Sequence, residues 1–150
     1  MHRSESAWRD ERPRVLVLAC SDGRYEEALD EFCRESLRIE GYDRLLIPGG
    51  IQILRHALLP KFAWAGRRLL RFLLDKHGIR RLVLVAHEGC GWYRHMNWGP
   101  DAQIDPAERQ RRDLLGVMQD LREDWPALEV TPYLARPEGG RVTFEAVASA

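Results

Sequence analysis

The chain has 150 residues, 45% of them hydrophobic, enough for one domain with a core that needs no disulfide staples. Its 23 basic and 23 acidic residues cancel, so no net field favours nucleic acid or an anionic membrane surface as a partner. Three cysteines, an odd number, argue against a disulfide framework and direct attention to metal binding or nucleophilic chemistry.

Residues 1–14 form a polar N-terminal segment, and residues 15–150 are read as a single domain. The first apolar run, 15–19, is too short for a signal sequence or a membrane span, so a cytoplasmic location is expected. That run, Val-Leu-Val-Leu-Ala, suits a strand buried on both faces of a parallel sheet. It ends in Cys20-Ser-Asp22-Gly-Arg24. A helix is predicted over 26–40 with Gly41 as its stop. A short strand over 44–47 is broken by Pro48-Gly-Gly50.

Residues 53–76 are predicted mostly helical, interrupted near Pro60 and closed by Gly78. A third apolar strand, 81–86, runs into His87-Glu88-Gly-Cys90. Asp105 as N-cap and Pro106 in the first turn open a helix over 106–125. The tail predicts two strands, 128–135 and 141–147, around Glu138-Gly-Gly140 as a terminal hairpin or sheet edge. Alternating strands and helices imply an α/β domain with a mostly parallel central sheet flanked by helices. In such sheets ligands gather beyond the carboxyl ends of the strands, where two cysteine-bearing loops fall here.

His87 and Cys90 stand three apart, and on one helical turn they would share a face. Cys20, from a neighbouring strand, would add a third ligand. Two thiolates and one imidazole suit Zn²⁺, and three protein ligands leave a fourth position open, as catalytic zinc sites do. A lone strand-end cysteine is more often a small buried hydrophobe. Cys33, inside a helix with no partner in sequence, is assigned to packing, as are His2, His56 and His77. Cys20 differs because Asp22 and Arg24 follow it: a carboxylate able to accept a proton, and a guanidinium able to hold that carboxylate ionised. A phosphatase loop needs five residues between Cys and Arg, and only three are present. No nucleotide-binding glycine pattern follows the first strand.

Cys20-x-Asp22-x-Arg24 followed downstream by His87-x-x-Cys90-Gly91 resembles the fingerprint of the β-carbonic anhydrases, and the similarity runs over residues 15–93. The resemblance implies their fold, one Zn²⁺ per chain on Cys20, His87 and Cys90, and Asp22 and Arg24 as the catalytic pair. It implies reversible hydration of carbon dioxide to bicarbonate by zinc-bound hydroxide, in a homodimer or higher homo-oligomer. Gly50 and Gly91 are candidate substrate contacts. The aromatic stretch Trp92–Trp98 carries His95, a candidate proton shuttle, with packing or a subunit contact as the favoured alternative. Several positions depart from the family: Ile47-Pro-Gly-Gly50 replaces its Arg-Asn-Ala-Gly turn, Glu11 stands where a pocket glutamine is common, and Glu88 replaces a small hydroxyl residue. Two alternatives stay open, a zinc protein without turnover and an enzyme acting on another small substrate such as carbon disulfide.

Overall fold

The structure, a computed structural model, describes residues 1–55, 60–96 and 102–148. Five strands form one sheet: β1 (Val15–Cys20), β2 (Asp43–Ile47), β3 (Arg81–His87), β4 (Glu129–Glu138) and β5 (Arg141–Ala146), in the order β2-β1-β3-β4-β5. The first four run parallel, and β5 pairs antiparallel with β4. This is the predicted mostly parallel sheet with its terminal hairpin. Leu16, Val17 and Leu18 on β1 and Leu82, Val83 and Leu84 on β3 are wholly buried, as continuous apolar runs covered on both faces should be.

Leu16, Leu18, Leu82 and Leu84 face α2 (Pro60–His77) and α4 (Pro106–Asp124). On α2 the buried residues Ala63, Gly66, Leu70 and Leu74 follow a helical period. A side chain at Gly66 would stand 2.4 Å from the Ile53 carbonyl oxygen, so glycine there lets the helix lie directly on the turn at Gly50–Leu54. As predicted, Asp105 caps α4, its carboxylate accepting from the Ala107 and Glu108 N–H groups at 3.0 and 3.3 Å.

Val17, Ala19, Val83 and Val85 form the opposite core with Leu29 and Cys33, below α1 (Glu26–Glu31). The helix expected to reach residue 40 ends early. After Glu31 the chain opens into a π-turn, Phe32–Ser36, and Arg38 adopts φ 56°. The Ile39 N–H then bonds the Cys33 carbonyl at 2.9 Å, which closes the helix and turns Ile39 into the core. Glycine normally fills such a left-handed position, so the stop signal at Gly41 pointed three residues too far. Cys33 packs as expected. His2 is instead exposed, and His77 pairs with Asp43 at 2.5 Å. His56, Asn97 and Trp98 lie outside the described residues.

Candidate metal centre

Parallel pairing brings the two cysteine loops together. Ala19 on β1 is level with Val85 on β3, so Cys20 and His87 leave neighbouring strands within two residues of that level. The His87–Cys90 step is not a shared helical face. His87 ends β3, Gly89 takes φ 70°, and Cys90 sits at the N-cap of α3 (Gly91–His95). A left-handed glycine reverses the chain and returns the cysteine towards the histidine. The result is the expected triad: the ligand atoms of Cys20, His87 and Cys90 lie within 4.8 Å of one another. The two Sγ atoms are 3.9 Å apart.

His87 is set for coordination. Its Nδ1 lies 3.0 Å from the Glu88 carbonyl oxygen, and Nε2 is buried without a hydrogen-bond partner. With the proton on Nδ1, Nε2 presents its lone pair to the cysteines. Such an orphaned buried acceptor is costly unless something outside the polypeptide meets it. Tyr25 holds the same loop: its hydroxyl donates to the Glu88 carbonyl at 3.0 Å, and its ring lies 4.3 Å from that of His87. From α4, Gln110 donates to the His87 carbonyl at 2.7 Å.

Charge at the site follows from these contacts. The Cys90 thiol, hydrogen-bonding Cys20, draws the Cys20 thiol down to about 4 against the opposing effect of burial, with help from His87 and the backbone at Gly49 and Asp22. The same contact and burial push Cys90 up. The pair alone therefore favours a single thiolate, its charge shared across the Cys20–Cys90 contact. A second thiolate needs a cation, and a divalent ion between the sulfurs meets that need.

Asp22 and Arg24 stand beside the triad. Arg24 donates Nε to Oδ1 at 2.9 Å and Nη2 to Oδ2 at 2.5 Å, a fork that holds the Asp22 carboxyl down at about 2. Asp22 Oδ2 lies 4.0 Å from His87 Nε2, while its guanidinium partner faces solvent.

The remaining candidates divide. Gly50, at φ 50°, would place a side chain 2.9 Å from the backbone of Ala19 and Cys20, so it lets the turn press on the end of β1. Gly91 is exposed, with open space where a side chain would stand. His95 is exposed, its ring 6.1 Å from that of Trp92. Trp92 itself donates to Gln52 at 2.8 Å, and Tyr93 is buried against Asp113 at 3.0 Å. Glu88 turns its carboxylate to Arg136 at 3.4 Å. Sequence reasoning passed over Tyr25 and Gln110. Tyr25 follows the Cys-x-Asp-x-Arg run directly and could have been suspected. Gln110 lies in a polar helical stretch that gave no sign of its burial.

No family model matches the sequence. Two uncharacterised Rickettsia proteins are similar to it: one from Rickettsia conorii, 21% identical and spanning 83% of this chain and 68% of its own length, and one from Rickettsia bellii, 19% identical over 83% and 77%. Among solved structures, the β-carbonic anhydrase isoform I of Trichomonas vaginalis superposes with a TM-score of 0.58 at 14% identity, covering 97% of this chain and 90% of that one. The carbonic anhydrase of Streptococcus mutans gives 0.58 at 18%, covering 95% and 87%. A structure described as one of two tetrameric β-carbonic anhydrases from Sordaria macrospora gives 0.51 at 14%, covering 92% and 84%. The resemblance carried by the two motifs is matched across nearly the whole chain: this protein has the β-carbonic anhydrase fold.

Proposed function

We propose that the protein is a zinc-dependent carbonate dehydratase that interconverts carbon dioxide and bicarbonate, with Cys20, His87 and Cys90 as the ligands of one Zn²⁺ per chain. The observation that carries this reading is the unpartnered, buried Nε2 of His87 among two thiols, 4.0 Å from an arginine-held carboxylate. The donor set fits zinc. Tetrahedral Zn–S bonds of about 2.3 Å would set the sulfurs about 3.8 Å apart, and they stand 3.9 Å apart. Bound zinc supplies the Lewis acidity that makes water nucleophilic near neutral pH.

The chain's own residues would do the rest. Asp22, kept ionised and aimed by Arg24, accepts a hydrogen bond from the nucleophile and orients it towards carbon. Its orientation towards Arg24 keeps its carboxylate off the ligand cluster. Tyr25 and Gln110 fix the backbone around His87, so the imidazole does not need to reorganise during turnover. A reducing cytoplasm would keep both cysteines available as thiolates.

The reading includes assembly as a homodimer or higher homo-oligomer. The tetrameric description of one structural neighbour supports it, as do Trp64, Leu69 and Phe72, large apolar side chains exposed on α2. Light scattering coupled to gel filtration measures that directly. Activity is tested by stopped-flow hydration on protein of known metal content. About one zinc per chain with turnover of carbon dioxide is expected. A zinc-replete protein inert towards carbon dioxide would leave a metal protein without this activity, and carbon disulfide assayed in parallel would show whether the substrate was misassigned.

A further inference from the structure

Burying a polar or charged side chain is costly unless its partners compensate for the lost water. Among the described residues four such side chains are buried: His87, and Arg109, Gln110 and Asp113 near the start of α4. Further along that helix the buried positions are Leu114, Val117, Met118 and Leu121, an ordinary apolar face. The polar trio marks the place where the packed side of the sheet meets the ligand cluster.

Each of the three reaches a segment that carries a ligand. Gln110 donates to the His87 carbonyl at 2.7 Å. Arg109 donates Nη1 to the Met96 carbonyl at 3.1 Å, just past α3, and its guanidinium lies 5.5 Å from the centre of the Tyr93 ring. Asp113, 5% exposed, accepts from the hydroxyl of Tyr93, which is 1% exposed. Its other carboxylate oxygen lies 3.5 Å from Nε of Arg55, the residue that ends the turn after β2.

These contacts matter because α3 has only five residues, too few for a helix to hold itself. Its place, and that of Cys90 at its N-cap, is set by what it touches. The turn after β2 meets it a second time: Trp92 donates to Gln52, and a β-carbon at Gly49 would stand 2.1 Å from the Trp92 ring. An alanine there, as in the Arg-Asn-Ala-Gly turn of the family, has no room. The N–H groups of Trp92 and Tyr93 lie near the Cys90 sulfur and favour its anion, so a shift of Tyr93 is felt at the ligand.

We infer that Asp113 is a positioning residue for the metal centre, holding Tyr93 so that α3 presents the Cys90 sulfur to the ion alongside Cys20 and His87. The inference rests on the ligand set proposed above. Arg55 supplies the charge that a buried carboxylate needs, and Arg109 ties down the far end of α3. Asp113 acts through Tyr93 and not on the reacting atoms.

The test measures zinc affinity by competition with a chelator, and the thiolate-to-cobalt absorption of the cobalt-substituted full chain. Tyr93→Phe and Asp113→Ala are expected to weaken zinc roughly 10–100-fold and to shift the cobalt spectrum. Asp113→Asn, whose amide oxygen still accepts from Tyr93, should stay near the parent. Leu114→Ala, the neighbouring core position, should lower the melting temperature with zinc affinity unchanged. Parental affinity and spectrum in both Tyr93→Phe and Asp113→Ala overturn the inference, as does an equal loss of zinc in Leu114→Ala. Asp113→Asn as weak as Asp113→Ala also overturns it, because the hydrogen bond to Tyr93 would then not be what counts. Tyr93→Phe removes a single oxygen and keeps the test decisive should Asp113→Ala fail to fold. A parent that binds no zinc overturns the ligand set and this inference with it. A zinc-replete parent inert towards carbon dioxide overturns only the proposed activity.

Discussion

On one face of the sheet, helices of 18 and 19 residues lie across β1 and β3, and the leucines beneath them are wholly buried. On the other, the covering helix is six residues long and ends in a π-turn, and the space beneath it is partly empty. The first face is built as a close-packed core, where each methylene has neighbours to lose. The second is built around a site, with Asp22, Tyr25 and the cavity all on α1 or the loop that enters it. The difference teaches that stability and chemistry are segregated by face. Substitutions should therefore sort by which face they touch.

The largest effect is expected where the faces meet, at the ligands. Cys90→Ser leaves a weak oxygen donor in place of a thiolate and should lose most of the bound zinc and all measurable hydration. The packed face does not depend on the metal, so far-ultraviolet circular dichroism should stay near that of the parent. Elemental analysis showing a full complement of zinc in Cys90→Ser would remove this residue from the ligand set.

Next comes Asp22→Asn, which removes charge but little volume from a side chain off the cores. It should keep the zinc and the melting temperature yet lower kcat by about 10²–10⁴. Should the melting temperature fall by as much as that of a core variant, the segregation would fail at its most important residue. The comparison sharpens with Leu114→Ala and Leu29→Ala. Leu114, wholly buried on the inner face of α4, should cost about 2–5 kcal/mol of unfolding free energy when truncated. Leu29 already borders empty space, has fewer contacts to lose, and should fall at the low end of that range. Equal costs in chemical denaturation would show that both faces are packed alike.

These two faces were not equally legible in the sequence. The packed face was, because apolar strand runs and helical periodicity reflect burial directly: β1, β3, α4 with its Asp105 cap, and the terminal hairpin all fall where expected. The clustering of Cys20, His87 and Cys90 was legible because both halves of the motif begin at strand ends, and parallel pairing makes strand ends neighbours. What escaped was local backbone geometry. Arg38 in a left-handed conformation ended the first helix without a glycine, and a turn at Gly89, rather than a helical face, returned Cys90 to His87. Long-range polar contacts escaped too. Nothing near Gln110 indicates that its amide meets a carbonyl on β3, because that meeting depends on how α4 crosses the sheet.

Tyr25→Phe should give the smallest effect and asks how finely the site face is tuned. The substitution keeps the ring against His87 and removes only the hydroxyl that donates to the Glu88 carbonyl. That carbonyl still meets His87 Nδ1, so no acceptor is orphaned and the expected loss is one ordinary hydrogen bond, about 0.5–1.5 kcal/mol. If the bond serves the site, the loss should appear as weaker zinc binding, by about 2–10-fold in a competition titration with a chelator. If it serves only the fold, the metal-free protein should lose the same amount of unfolding free energy with its zinc affinity unchanged. Because the hydroxyl belongs to the sparsely packed face, the first outcome is expected.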